Sequence, residues 1–181
     1  KKDGTSTTRN EKDIPEILSG LYEGRTTGTP LAAVIFNTDQ RSGDYGNISH
    51  IARPAHADYT GFLRYNDAND PRGGGHFSGR ITAPLCFAGA ICAQILKHRG
   101  ITTGAHIQSI KDVADERFDP VNVTAEQLEQ VKSRHFPTLS ETAEEKMREV
   151  INAARMDLNS VGGIVECAVV GFPAGIGSPM I

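Results

Sequence analysis

Hydrophobic residues fall in blocks along this chain, and the blocks differ in period. Leu31–Phe36 (Leu-Ala-Ala-Val-Ile-Phe) is a short apolar run between Thr-Gly-Thr-Pro and Asn-Thr-Asp, the length and flanks of a buried strand. Arg80–Arg99 is apolar almost throughout. With Pro84 near its start and Gly100 just past its end, it predicts a buried helix. Ala105–Ile110 alternates weakly, as a strand does. Thr124-Ala-Glu-Gln127 is a capping-box pattern opening a short polar helix, and Thr138-Leu-Ser-Glu141 is a second. The helix that follows it carries Met147, Val150, Ile151, Ala154 and Leu158 on one face. Gly162–Gly171 reads as a strand that runs into a rigid loop, Phe172-Pro-Ala-Gly-Ile-Gly-Ser-Pro179. Two stretches lack periodicity. Residues 1–15 are polar and read as a mobile or ligand-ordered segment, and Asn37–Gly79 is dominated by Gly, Asp, Asn, Arg and His. Structureless stretches of that length mark binding loops more often than linkers inside a domain. The pattern is one of mixed α and β, without repeats.

Composition narrows this. The 181 residues suit one globular domain, with 38% hydrophobic and 23% charged residues. No apolar run stands out as a membrane span on this reading. The net charge of −3 disfavours generic nucleic-acid or anionic-membrane binding. Its distribution says more: no Lys lies between Asp13 and Leu96, whereas Arg25, Arg41, Arg53, Arg64, Arg72 and Arg80 all do. Arg is the residue for fixed, bidentate contacts to carboxylate or phosphate, so this set beside Gly-rich loops points to an anion pocket. Cys86, Cys92 and Cys167 form no CxxC pair and read as buried free thiols in a reducing cytosol. The chain opens on Lys1 and stops at Ile181 after a Gly/Pro-rich run, so both ends are expected to be cut.

Three constellations carry chemistry. Arg72-Gly-Gly-Gly-His-Phe-Ser-Gly-Arg80 directly precedes the apolar helix. Its glycines let backbone N–H groups approach a ligand, and the helix start adds a positive dipole end. It matches neither a Walker A loop nor GxGxxG, and a ligand-free Gly-rich turn is the competing reading. In Arg53-Pro-Ala-His-Ala-Asp-Tyr-Thr60, Arg53 is placed to hold an anion while His56 delivers a proton. Asp58 is near enough in sequence to orient the imidazole. Gly24-Arg-Thr-Thr-Gly-Thr-Pro30 and Asn37-Thr-Asp-Gln-Arg-Ser-Gly-Asp-Tyr45 read equally as polar ligand contacts or plain turns. The histidines His50, His56 and His76 lack metal-ligand spacing.

Together these segments resemble chorismate synthase. Besides the stretches just quoted, Thr7-Thr-Arg-Asn-Glu-Lys-Asp13, Ile17-Leu-Ser-Gly20, Ser160-Val-Gly-Gly-Ile-Val-Glu166 and Pro173-Ala-Gly-Ile-Gly-Ser-Pro179 match, all in family order. The resemblance implies an α+β fold, a β-α-β sandwich, over one domain at 1–181. It implies a cytoplasmic homotetramer, with no nucleic-acid or membrane partner. The implied reaction is a trans-1,4 elimination of phosphate from 5-enolpyruvylshikimate 3-phosphate to chorismate in the shikimate pathway. That makes the protein a carbon–oxygen lyase requiring reduced FMN, with NADP also associated with the family. His56 matches the general acid near the phosphate. Arg53, Arg80 and Ser78 match substrate-binding positions, Arg9 lies in the phosphate-binding segment, and His76, Phe77 and Ser78 match the flavin-contacting triplet.

The sequence departs from the family at three points. Ala55 stands where Gly is usual, the Gly-Glu-Ser-His-Gly segment with the second catalytic His does not occur, and the C-terminal flavin contacts are absent. The isolated chain is therefore expected not to complete the site. The alternative is a non-catalytic anion- or flavin-binding or oligomerisation fragment. A phosphotransfer enzyme is disfavoured by the lack of a Walker lysine and a Mg²⁺ carboxylate pair.

Overall fold

The structure, a computed structural model, describes residues 13–37, 51–54, 56–70 and 72–177. It divides into two compact units whose boundary falls after Ala90. Arg9 and residues 38–50 lie outside the described residues, as do Ala55 and residues 178–181.

In the first unit, β1 (Pro15–Ser19) pairs antiparallel with β4 (Ala32–Ile35), the strand expected at Leu31–Phe36. Between them β2 (Leu21–Tyr22) and β3 (Arg25–Thr26) close a hairpin. Its turn residues Glu23 and Gly24 both have positive φ, 48° and 76°, the pair of left-handed residues that a two-residue hairpin of this twist requires. The Gly24–Pro30 segment is thus partly a hairpin. The Asn37–Gly79 stretch is not structureless either. It contains α1 (Asp58–Tyr65) and a 3₁₀ helix over Arg72–Phe77, followed by a second over Gly79–Ile81. The pattern hides α1 because Gly61 interrupts it. A Cβ there would sit 2.7 Å from Cε2 of Phe77, so glycine is kept for tertiary contact against its helix propensity.

Helix α2 (Thr82–His98) follows within two residues of the expected bounds. Its end is a full Schellman motif: Gly100 has φ +74°, its N–H donates to the Lys97 carbonyl, and the Ile101 N–H donates to the Leu96 carbonyl. The expectation of burial fails, however. None of its residues is buried, and Leu85 is 67% exposed. Residues 79–98 are long and apolar enough to cross a membrane by length and composition alone, contrary to the sequence reading that no such run stands out. The thiols follow suit: Cys86 and Cys92 on α2 and Cys167 are free but exposed rather than buried.

The second unit holds a three-stranded antiparallel sheet in the order β6-β5-β7, built from β5 (Thr102–Ile110), β6 (Val113–Ala114) and β7 (Gly163–Val170). Alternation along β5 buries Gly104, His106 and Gln108 on one face. Against it lie α3 (Ala125–Ser133) and α4 (Glu141–Met156). The Thr124–Gln127 capping box forms with both reciprocal bonds. The second box does not. Ser140, not Thr138, caps α4, accepting from the Ala143 N–H, and Thr138 is fully buried. Leu158 lies past the end of α4 and is 97% exposed, so it leaves the apolar face that Met147 anchors. One core cluster joins Phe118, Leu128 and Val131, and a second joins Phe136, Ala143 and Met147. Gly104 lets α3 close on the sheet, since a Cβ there would fall 2.8 Å from Cβ of Leu128.

Candidate functional site

The candidate site lies in the first unit, where α1 and the Gly-rich 3₁₀ turn meet. Arg53 precedes α1 and Asp58 is its first residue. The Asp58 carboxylate accepts three hydrogen bonds from Arg53: from the backbone N–H at 2.9 Å, from Nε at 2.7 Å and from Nη2 at 2.8 Å. This is a fork-on-fork pair, the strongest form of the interaction. Both side chains are about four-fifths buried, at 23% and 21% exposure. The Arg53 hydrogen bond holds the Asp58 carboxyl down at about 2. Asp58 therefore does not hydrogen-bond the His56 imidazole, as its proximity in sequence suggested. It fastens Arg53 instead.

His56 sits inside the loop that this pair closes. Its backbone N–H donates to the Arg53 carbonyl, and its Nδ1 meets the Pro54 carbonyl at 2.9 Å. A carbonyl only accepts, so Nδ1 carries a proton and Nε2 of this exposed ring is the atom left for proton transfer.

The Gly-rich loop is brought against this segment through Phe77. Gly61 of α1 abuts the Phe77 ring, and Tyr65 lies 6.2 Å from it between centroids. Gly74 and Gly75 have φ of +84° and +51°, backbone conformations that their lack of a Cβ permits. His76 and Phe77 stand edge to face with centroids 5.7 Å apart. Both are exposed, and Ser78 Oγ accepts from the Arg80 N–H at 3.3 Å. Exposed flat rings beside a hydroxyl and glycine turns suit a flat heteroaromatic group such as a flavin. Arg80 is half-buried and borders a cavity of about 620 Å³, also lined by Ile35, Phe36, Ile81, Pro84 and Phe87. Of the sequence candidates, the structure brings α1 and Phe77 into contact. No hydrogen bond of His56 reaches the 76–80 turn among the described residues. Arg9 lies outside the described residues. Among the described residues, no cluster of three His, Cys, Asp or Glu side chains suits a metal.

Sequence reading missed a second polar cluster altogether, in the other unit. His106, with no exposure, places Nδ1 3.2 Å from Oδ2 of Asp115 and Nε2 2.8 Å from Oε2 of Glu166. Asp115 also accepts from the Leu139 and Ser140 N–H groups at the start of α4. Glu166, paired with His106 across β5 and β7, also accepts from the Phe118 N–H. The Phe118 ring edges onto the imidazole at 4.5 Å. These groups tie α4 and the 115–118 segment to the sheet. With the ring wholly enclosed, the cluster acts on the fold.

Residues 1–181 match the family profile described as chorismate synthase. A chorismate synthase of Pyrococcus abyssi is 43% identical over 176 residues, covering 97% of this chain and 48% of that protein. One from Lancefieldella parvula is 39% identical over 184 residues, covering 96% and 48%. A crystal structure of chorismate synthase superposes with a TM-score of 0.68 at 28% identity, over 92% of this chain and 47% of its own. The chain spans about half the length of the curated relatives it matches.

Proposed function

We infer, from the premise that this chain belongs to the chorismate synthase family, that it carries the phosphate-gripping and proton-donating part of a chorismate synthase site. The reaction is the elimination of phosphate from 5-enolpyruvylshikimate 3-phosphate. The C3–O bond to phosphate breaks, a proton leaves C6, and the new double bond gives chorismate. Arg53 and Arg80, with Ser78, hold the anionic groups of the substrate. His56, its Nδ1 engaged by Pro54, presents Nε2 to protonate the departing phosphate. His76, Phe77 and Ser78 would hold reduced FMN, which supplies transient electron density to the allylic system with no net redox change. Tetrameric assembly, a cytoplasmic setting and Arg9 as a phosphate ligand belong to the same proposal and rest on family membership.

The observation that carries this reading is the rigid Arg53–Asp58 pair enclosing His56, on a helix that abuts Phe77. A cation and an acid are thus held together beside the ring-bearing turn. Arg53→Ala is expected to weaken binding of 5-enolpyruvylshikimate 3-phosphate about 10- to 100-fold, the loss of a charge-assisted hydrogen bond worth roughly 1.5–3 kcal/mol. Titration calorimetry checks this, and unchanged affinity would remove Arg53 from the site. The second reading, a non-catalytic anion-binding module, shares that result and differs in having no turnover to lose when His56 is replaced.

A further inference from the structure

We propose that Asp58 is the positioning residue of this site: by clamping the guanidinium of Arg53, it sets the plane in which the anion is gripped. The inference rests on the reading that Arg53 meets the substrate phosphate. Three observations carry it. The carboxylate takes both Nε and Nη2 of Arg53, together with its backbone N–H, so side chain and main chain are fixed by one group. The guanidinium is planar, and two parallel bonds along one edge fix its orientation as a point charge on Lys would not be fixed. The side-on Nε–Nη2 fork is therefore committed within the protein and is not offered to a ligand.

Asp58 is also the first residue of α1, whose N-cap Ala57 has no side chain able to cap. The carboxylate is anchored to the positive end of that helix. The helix in turn is seated on Phe77 through Gly61. The clamp therefore ties the cation to the element that abuts the Gly-rich turn. His56, whose N–H donates to the Arg53 carbonyl, is carried inside the same closed loop.

Counting charges alone gives the opposite expectation, which makes the proposal sharp. Asp58 is an anion beside an anion-binding cation, so Asp58→Asn should tighten phosphate binding if electrostatics decided the matter. Positioning predicts a loss. Asp58→Glu separates the two again: it keeps the charge but displaces the carboxylate by a methylene. Charge counting then predicts native affinity, and positioning predicts weakening.

The test is calorimetric titration of 5-enolpyruvylshikimate 3-phosphate into a full-length chimera, in which this chain replaces its matching part of the Pyrococcus abyssi relative, carrying the native residues, Arg53→Ala, Asp58→Asn, Asp58→Glu or the double variant Arg53→Ala/Asp58→Asn. Thermal melts accompany each sample to establish that it is folded. The proposal expects Asp58→Asn and Asp58→Glu each to weaken binding at least 5-fold. It also expects Asp58→Asn to have no further effect once Arg53 is alanine, because a merely structural role would persist in that background. In the NMR spectrum the Arg53 Nε–H signal, shifted by its carboxylate partner, is expected to move to the position of a solvated guanidinium in Asp58→Asn. Native or tighter binding by folded Asp58→Asn, with Arg53→Ala weakened, overturns the role of Asp58 alone. Unchanged affinity in Arg53→Ala overturns the reading of the site and this inference with it. Should Asp58→Asn fail to fold, Asp58→Glu decides on the same criterion.

Discussion

Replacing His106 with alanine is expected to destabilise the second unit by about 3–5 kcal/mol, seen as a large drop in urea midpoint with an unchanged slope. Removing the shared partner of a buried polar network costs that much because two carboxylates each lose a hydrogen bond in a place that water does not reach. The more buried of the two is Asp115, whose side chain has no exposure. The lost ring also leaves a cavity under Phe118, which contributes in the same direction. Against a typical stability of roughly 5–15 kcal/mol, a loss of this size removes a large part of the margin. Glu166→Gln should cost less, since that side chain is 30% exposed and its amide oxygen can still accept. The pH dependence follows from the same contacts. The hydrogen bond from His106, and then the Phe118 N–H, holds the Glu166 carboxyl below its ordinary value. A lowered folded value means that the contribution is complete above the ordinary glutamate range and is lost as pH falls below it. The native protein should therefore lose stability on acidification more steeply than Glu166→Gln. An alanine variant at 106 with native stability would show that the cluster does not hold the unit together.

His56→Ala is expected to lower the rate of chorismate formation about 100- to 10,000-fold while leaving affinity for the phosphorylated substrate within a factor of about two. That range is what a positioned general acid contributes, and each decade corresponds to roughly 1.36 kcal/mol of barrier. The two effects separate because the proposed phosphate grip comes from Arg53 and Arg80, whereas His56 acts only as the C–O bond breaks. Among the described residues the imidazole hydrogen-bonds only the Pro54 carbonyl, and the bond to the Arg53 carbonyl comes from the His56 backbone N–H, so removing the ring leaves the clamp between Arg53 and Asp58 standing. The suitable setting is a chimera in which the matched 97% of this chain replaces its counterpart in the Pyrococcus abyssi relative. That supplies the half of the relative that this chain does not cover. Equal losses in affinity and rate would make His56 a binding residue rather than the acid.

Much of the fold was legible where a local rule decides the outcome. The Thr124–Gln127 box, the Schellman end at Gly100, and strands β4, β5 and β7 all follow from spacing and flanking residues. The rest depends on contacts between distant residues. Helix α1 was hidden because its central Gly61 is there for Phe77, 16 positions on. The sequence pattern places the start of α4 two residues early: Thr138 and Ser140 both suit a cap, and burial of Thr138 settles which one caps. An apolar helix reads as buried, yet nothing among the described residues buries α2. At the site, the Arg and Gly pattern was visible but the pairing was not. Two residues of separation suggested that Asp58 serves His56. At the first position of a helix, however, a side chain leans back over the preceding loop, and that direction leads to Arg53. The His106 cluster offered no local signal, with partners nine and 60 positions away.

The most direct measurement is chorismate and inorganic phosphate released by that chimera from 5-enolpyruvylshikimate 3-phosphate under anaerobic conditions with photoreduced FMN. The account predicts equal amounts of the two products, formed only while the flavin is reduced and at a rate lowered to about 1% or less by His56→Ala. A folded chimera that binds the phosphorylated substrate through Arg53 yet releases no chorismate would contradict it, and would leave these residues as an anion-binding module without chemistry.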